Sequence, residues 1–174
     1  LVNEPAGTCT PERMADQAQE LAQTYGFEIS VLDRKQLKEK GCGGILGGSA
    51  GSARGAHLIH LIYRPDGGAK RRLALVGKGV TFDSGGYDMK QRGEMLGMKM
   101  DMAGAATVLG VFKVLGALRP NVEVHGFVPT CENLVNGEAY KPGDVLTAYG
   151  GKTIEIGNTD EGSGTSVNLH SEHG

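Results

Sequence analysis

The stretch "MAGAATVLGVFKVLGAL" constrains this chain most. It has helical length, is apolar nearly all round, and carries Lys113 as its only charge. A surface helix is apolar along one stripe, so this pattern predicts a helix buried among other elements. Its flanks are strand-like: "HLIHLIYR" and "RRLALVGKG", separated by the turn "PDGGAK", precede it, and "NVEVHGFVPT" comes after it. Strand and helix in alternation predict the α/β class, with a mainly parallel twisted sheet covered by helices.

The other elements fit that frame. "TPERMADQAQELAQTYG" is a marked helix: Thr10 can cap it, Pro11 suits the first position, Glu12 favours the positive end and Gly26 stops it. "FEISVLD" alternates as a strand, "DRKQLKEKG" reads as a short polar helix, and "GKTIEIG" as a last short strand. A length of 174 residues without repeat or linker suits one domain. The segment "GCGGILGGSAGSARG" reads as a flexible connector in a chain with 29 glycines. It contains the pattern Gly47-Gly48-Ser49-Ala50-Gly51, which matches the GxSxG of serine hydrolases. A nucleophile elbow needs a strand before it and a helix after it, whereas a strand comes after it here, so Ser49 is not read as a nucleophile. The dinucleotide-binding spacing fails too, because Leu46 stands where the third glycine belongs.

Charge and cysteine usage exclude several classes. A formal charge of -2 gives no case for nucleic acid or an anionic membrane. No apolar run is expected to reach the length of a membrane span. The start "LVNEPAGTCTPER" lacks the charged-then-apolar order of a signal peptide. Cys9, Cys42 and Cys131 are odd in number and far apart, which fits neither a disulfide framework nor a zinc motif. A reducing compartment, the cytoplasm or an organelle interior, is expected rather than secretion.

Polar residues then cluster where an α/β sheet puts its chemistry, beyond the carboxyl ends of strands. "LALV" leads to Lys78 and then Asp83, Asp101 stands at the entry to the buried helix, and Asp160 comes after "TIEI". Singly, each has an ordinary explanation: a turn former at Asp83, a helix cap at Asp101, a solvated loop lysine at Lys78. Together, three carboxylates and a lysine at three strand ends point elsewhere. Converging carboxylates repel one another, and divalent cations are the usual remedy.

The segments "LVGKGVTFDSGG", "MKMDMAGAATVLG", "CENLVNGEAYKPGDVL" and "GKTIEIGNTD" resemble, in order and spacing, the leucyl aminopeptidase (cytosol aminopeptidase) family. The resemblance runs from "LVNEPAGTCTPE" to Asp160 and covers the first part of that family's catalytic domain. It implies a two-metal exopeptidase that removes amino-terminal residues from peptides, with zinc, manganese or magnesium as its ions. It implies that Lys78, Asp83, Asp101, Asp160 and Glu161 are metal ligands, with Asp83 bridging. It further implies that Lys90 polarises the scissile carbonyl and that Met98 lines the pocket for the first side chain.

One motif departs from the family. The family pattern Asn-Thr-Asp-Ala-Glu-Gly-Arg-Leu runs here as "NTDEGSGTSV", so Glu161 stands immediately after Asp160 and the arginine is absent. Adjacent side chains on extended backbone point to opposite sides, so Glu161 needs a local backbone change to reach the same ions. The chain thus divides into residues 1–160, a partial metallopeptidase catalytic domain, and 161–174, a divergent flexible tail carrying His170 and His173. An incomplete domain leaves apolar surface open, so a homo-oligomer or a larger complex is expected. The alternative to an aminopeptidase is an impaired relative serving as a structural subunit.

Overall fold

A computed structural model describes residues 1–160. Glu161, His170, His173 and the expected tail lie outside the described residues. The elements are α1 (Pro11–Tyr25), β1 (Glu28–Leu32), α2 (Arg34–Glu39), α3 (Gly43–Gly48), β2 (His57–Tyr63), β3 (Arg72–Val76) and β4 (Gly79–Asp83). Next come α4 (Arg92–Met95), a 3-10 turn (Met98–Met100), α5 (Ala103–Leu118), β5 (Glu123–Asn133), β6 (Val145–Thr147) and β7 (Thr153–Glu155).

Helix α1 has the ends its sequence promised. Thr10 accepts a hydrogen bond from the Arg13 amide at 3.2 Å. Gly26 closes the helix at a φ of 74°, a left-handed conformation that glycine adopts without a Cβ penalty. Helix α2 begins with Asp33 and Gln36 capping each other's backbone.

The main sheet has the order β1-β2-β5-β3, and β4 also pairs with β5. Helices flank this sheet, as the α/β class requires. The strand directions are mixed rather than mainly parallel: β2 runs antiparallel to β1 and β5, while β3 and β4 run parallel to β5. The reason lies in burial. Strands β2 and β5 are covered on both faces, so their residues read as nearly continuous apolar runs whatever the direction.

Two cores sit on opposite faces. Ile59 and Leu61 of β2 with Val124 and Val128 of β5 meet Met14 and Ala18 of α1 and Val108 and Phe112 of α5. On the other face Leu58 and Cys131 meet Leu37 of α2 and Ile45 of α3. The period of two along each strand divides these sets.

Helix α5 departs from expectation. It buries Ala105, Val108, Leu109, Phe112 and Leu115, but Val114 and Leu118 on its outer side are 53% and 74% exposed. It is buried along one face, because nothing among the described residues covers the other. The helical stretch Met98–Leu118, 21 residues, is also long and apolar enough by composition to cross a membrane, contrary to expectation. Its buried stripe is spent on the sheet.

The glycine-rich connector is also corrected. It holds α3, and its glycines serve close approach rather than freedom. A Cβ on Gly43 would lie 2.1 Å from the Thr147 carbonyl oxygen, and one on Gly51 would lie 1.7 Å from that of Leu134. Ser49 is fully buried with its hydroxyl donating to the Leu46 carbonyl, so the GxSxG pattern presents no nucleophile.

Gly126 in the central strand tests the packing. A Cβ there would lie 2.5 Å from Phe112 Cε2 and 3.0 Å from Val108 Cγ1. Gly126→Ala is expected to destabilise the fold by about 1–3 kcal/mol through overpacking. Urea unfolding checks this, and an unchanged midpoint would contradict so close a contact between α5 and β5.

Candidate metal centre

Strands β3 and β4 lie end to end along β5, with a break at Gly77 and Lys78. At the break the chain runs against the start of α5: a Cβ on Gly77 would lie 2.6 Å from the Gly104 carbonyl oxygen. The Lys78 carbonyl accepts from the Ala105 amide at 2.9 Å. This docking brings Lys78 beside Asp101, which ends the 3-10 turn before α5, and Lys78 Nζ lies 2.7 Å from Asp101 Oδ2. That oxygen is buried and has no directed hydrogen bond, so the contact is an ion pair.

Asp83 is placed by an irregularity. Val80 pairs with Cys131 and Phe82 with Glu132, which leaves Thr81 as an extra residue in β4. A bulge of this kind shifts the side-chain phase of the residues after it. Asp83 therefore comes opposite Asn133, and Asn133 Nδ2 donates to Asp83 Oδ1 at 2.9 Å. The Gly85 amide donates to the same oxygen at 2.9 Å. Both Asp83 and Asn133 are buried.

Past Asp83 the chain turns through Gly85 and Gly86, at φ 88° and 67°, a left-handed pair that suits glycine. The Lys90 amide closes this loop on the Ser84 carbonyl at 2.9 Å. Lys90 Nζ then reaches both oxygens of Asp160, at 2.6 and 2.8 Å. Met98 stands on the 3-10 turn that ends at Asp101.

The structure thus brings Lys78, Asp83, Lys90, Asp101 and Asp160 to one edge of the sheet. Burial works against the Lys90 charge, but the hydrogen bond to Asp160 and the charges of Asp83, Asp160 and Asp101 outweigh it and raise its pKa. Burial raises the Asp101 pKa, and Asp83 adds to the rise, while Lys78 works against it. Cys131, next to the cluster, is pushed up to about 12, chiefly by burial, so its thiol stays protonated and inert.

Among the described residues no three His, Cys, Asp or Glu side chains form a ready-made metal cage. Lysines hold two of the three carboxylates in ion pairs, and Asn133 and the Gly85 amide hold the third. The donor chemistry still fits a divalent cation. Hard carboxylate oxygens converge, and one of them is a buried charge with no directed hydrogen bond. A cavity of about 750 Å³ opens on the other face of the sheet, lined by Leu58, His60 and Phe127 among others, and includes none of these charged residues.

Sequence reasoning missed the residues that tie the cluster together. Asn133, Thr159 and Tyr140 are buried, and Asn133 Nδ2 and Tyr140 Oη both donate to the Thr159 carbonyl. The available signal was Asn133 itself, a polar side chain closing a strand whose other residues are largely buried.

The raised Asp101 pKa has a testable sign. A raised folded-state pKa gives stability that is fully present below the ordinary aspartate pKa of about 4 and lost as pH rises through the folded value. Asp101→Asn removes the ionisation, and Lys78 is exposed enough to be hydrated without its partner. In cation-free buffer this variant is expected to have the higher urea midpoint at neutral pH, with the gap closing as the pH falls towards about 4. A variant less stable than the parent at neutral pH would mean that the ion pair outweighs burial.

Comparison with known proteins identifies relatives of this chain. Residues 1–163 match the family model described as the cytosol aminopeptidase family, catalytic domain. The chain is 48% identical over 160 residues to a probable cytosol aminopeptidase of Persephonella marina, covering 92% of this chain and 32% of the relative. It is 52% identical over 162 residues to one from Synechococcus sp. strain CC9902, covering 92% and 33%. A probable cytosol aminopeptidase of Aquifex aeolicus is 48% identical over 160 residues, covering 92% and 32%. The chain therefore spans about a third of the length of the curated relatives it matches. With residues 1–163 matched by its catalytic-domain model, this chain belongs to the cytosol aminopeptidase family.

Proposed function

We propose that the chain carries the metal-binding half of an aminopeptidase active site and takes part in removing amino-terminal residues from peptides. The carrying observation is the convergence of Lys78 and Asp83 at the two ends of β4, Lys90 from the loop after it, Asp101 from the 3-10 turn before α5 and Asp160 from the segment after β7. Relatives named cytosol aminopeptidases support the reaction class, and their name supports a cytosolic location. Three buried, free cysteines accord with a reducing compartment.

Asp83, Asp101 and Asp160 would hold zinc, manganese or magnesium, with Lys78 as a further ligand once its amine is neutral. Bound there, such ions polarise a carbonyl and activate a water. The chain's own groups do the rest. Asn133 and the Gly85 amide both donate to Asp83 Oδ1 and so fix the orientation of its carboxylate. Lys90 stays protonated, which suits it to stabilise negative charge developing on a carbonyl oxygen once Asp160 turns away from it. Met98, on the turn beside Asp101, would border the site of the first side chain.

A second reading rests on exposed apolar surface. Val114 and Leu118 on α5, and Leu73 on the edge strand β3, are each more than half exposed. Such a surface suits association, with copies of this chain or other proteins completing the fold. Sedimentation at several concentrations tests it, and a monomer throughout would count against it.

The aminopeptidase reading predicts that the chain with added manganese or zinc hydrolyses a leucine amide above a Lys78→Ala control. Lys90→Ala is expected to lower kcat/KM by about 100-fold or more, the scale for removing a group that stabilises developing charge. Elemental analysis after dialysis gives the ion count, and a chain that retains no ion and hydrolyses nothing overturns the reading.

A further inference from the structure

Thr159 stands directly before Asp160 and is fully buried, and every polar atom it has is used. Its amide donates to Asp88 Oδ2 at 2.8 Å. Its hydroxyl donates to the Gly85 carbonyl at 2.7 Å and accepts from the Asp88 amide at 2.8 Å. Its carbonyl accepts from Tyr140 Oη at 2.7 Å and from Asn133 Nδ2 at 3.1 Å. Asp88 and Thr159 thus exchange amide hydrogen bonds between two loops 71 residues apart in sequence.

An aspartate in a glycine-rich loop ordinarily caps its own turn. Asp88 instead reaches across to a distant backbone. The loop is shaped to receive Thr159, because a Cβ on Gly86 would lie 2.9 Å from the threonine Oγ1. Two residues past Asp88 comes Lys90, and one past Thr159 comes Asp160, and these two meet in the bidentate ion pair. The loops are therefore joined twice, once through two amide-to-side-chain hydrogen bonds of short side chains and once through a long lysine side chain.

The two junctions differ in what a cation does to them. Were the Asp160 carboxylate to hold a cation, its pair with Lys90 would be lost, and a loop held by that pair alone would drift. The Asp88–Thr159 junction survives, because neither residue gives up a bond. We infer that Asp88 is a positioning residue: through Thr159 it locks the Asp160 loop to the Lys90 loop, so that a cation ligand and a carbonyl-polarising lysine stay in register. This inference rests on the metal-centre reading proposed above.

The test uses Asp88→Ala and Asp88→Asn in the full chain. Asparagine keeps an oxygen for the Thr159 amide but removes the charge, so it separates the clamp from simple electrostatics. Amide hydrogen exchange is read first, without cation. Thr159 is expected to be protected in the parent and in Asp88→Asn, and to exchange about 10-fold faster or more in Asp88→Ala, while β5 amides stay protected in all three. Manganese affinity by calorimetry is then expected to weaken about 10–100-fold in Asp88→Ala and to recover largely in Asp88→Asn. Where leucine amide is turned over, kcat should track the affinity with KM changing less.

An unprotected Thr159 amide in the parent overturns the clamp whatever the metal result. Equal manganese affinity in all three proteins overturns the positioning role. An Asp88→Asn as weak as Asp88→Ala assigns the effect to charge and overturns it too. A parent that protects Thr159 but binds no manganese sinks the metal-centre reading, and the positioning role with it. If Asp88→Ala fails to fold, Thr159→Val and Thr159→Ser give the same contrast from the other loop.

Discussion

The pairing of β5 with two successive strands along one side governs the rest of the structure. β3 takes Glu123–Phe127 and β4 takes Thr130–Asn133, both parallel. A continuous strand would carry the chain straight past the start of α5. The break instead delivers Lys78 there, and the bulge at Thr81 delivers Asp83 opposite Asn133. Gly77 and Gly126 make this possible, because neither position has room for a side chain between sheet and helix. The site is thus a product of backbone packing before it is a product of charge.

Charge then sets a tension that packing has to bear. Asp83, Asp101 and Asp160 converge at one edge, and burial there penalises the charge of Asp101. Lys78 pairs with Asp101 and Lys90 with Asp160, and Asn133 donates a hydrogen bond to Asp83. The compensation is incomplete at Asp101, whose pKa still rises. The two lysines act as internal counter-ions to Asp101 and Asp160.

Much of this was legible in the sequence, and the rest was not for identifiable reasons. Thr10, Pro11 and Gly26 marked α1, since caps act locally. The strand-end carboxylates were legible because the topology of an α/β sheet gathers such ends. Strand direction was not, because β2 and β5 are buried on both faces and lose the alternation that would betray an antiparallel sheet. The glycines of α3 suggested freedom because a close backbone approach and a loose loop have the same composition. Thr159 and Asp88 were missed because their bonds join residues 71 apart, and no local pattern announces a partner at that distance.

The cavity lined by His60 and Phe127 and the exposed face of α5 are two signs of one incompleteness. His60 stacks on Phe127 with ring centroids 4.3 Å apart, and His60 Nε2 lies 3.0 Å from His125 Nδ1. His60 and His125 are polar side chains on a sheet face whose other end is covered by α2 and α3. The opposite face ends in Val114 and Leu118 of α5. The sheet is open at β3, where Leu73 is exposed, and the charged cluster lies farther along the same side of β5, at β4. Apolar surface therefore stays exposed on α5 and at β3, beside an edge whose charged groups are held by ion pairs and hydrogen bonds.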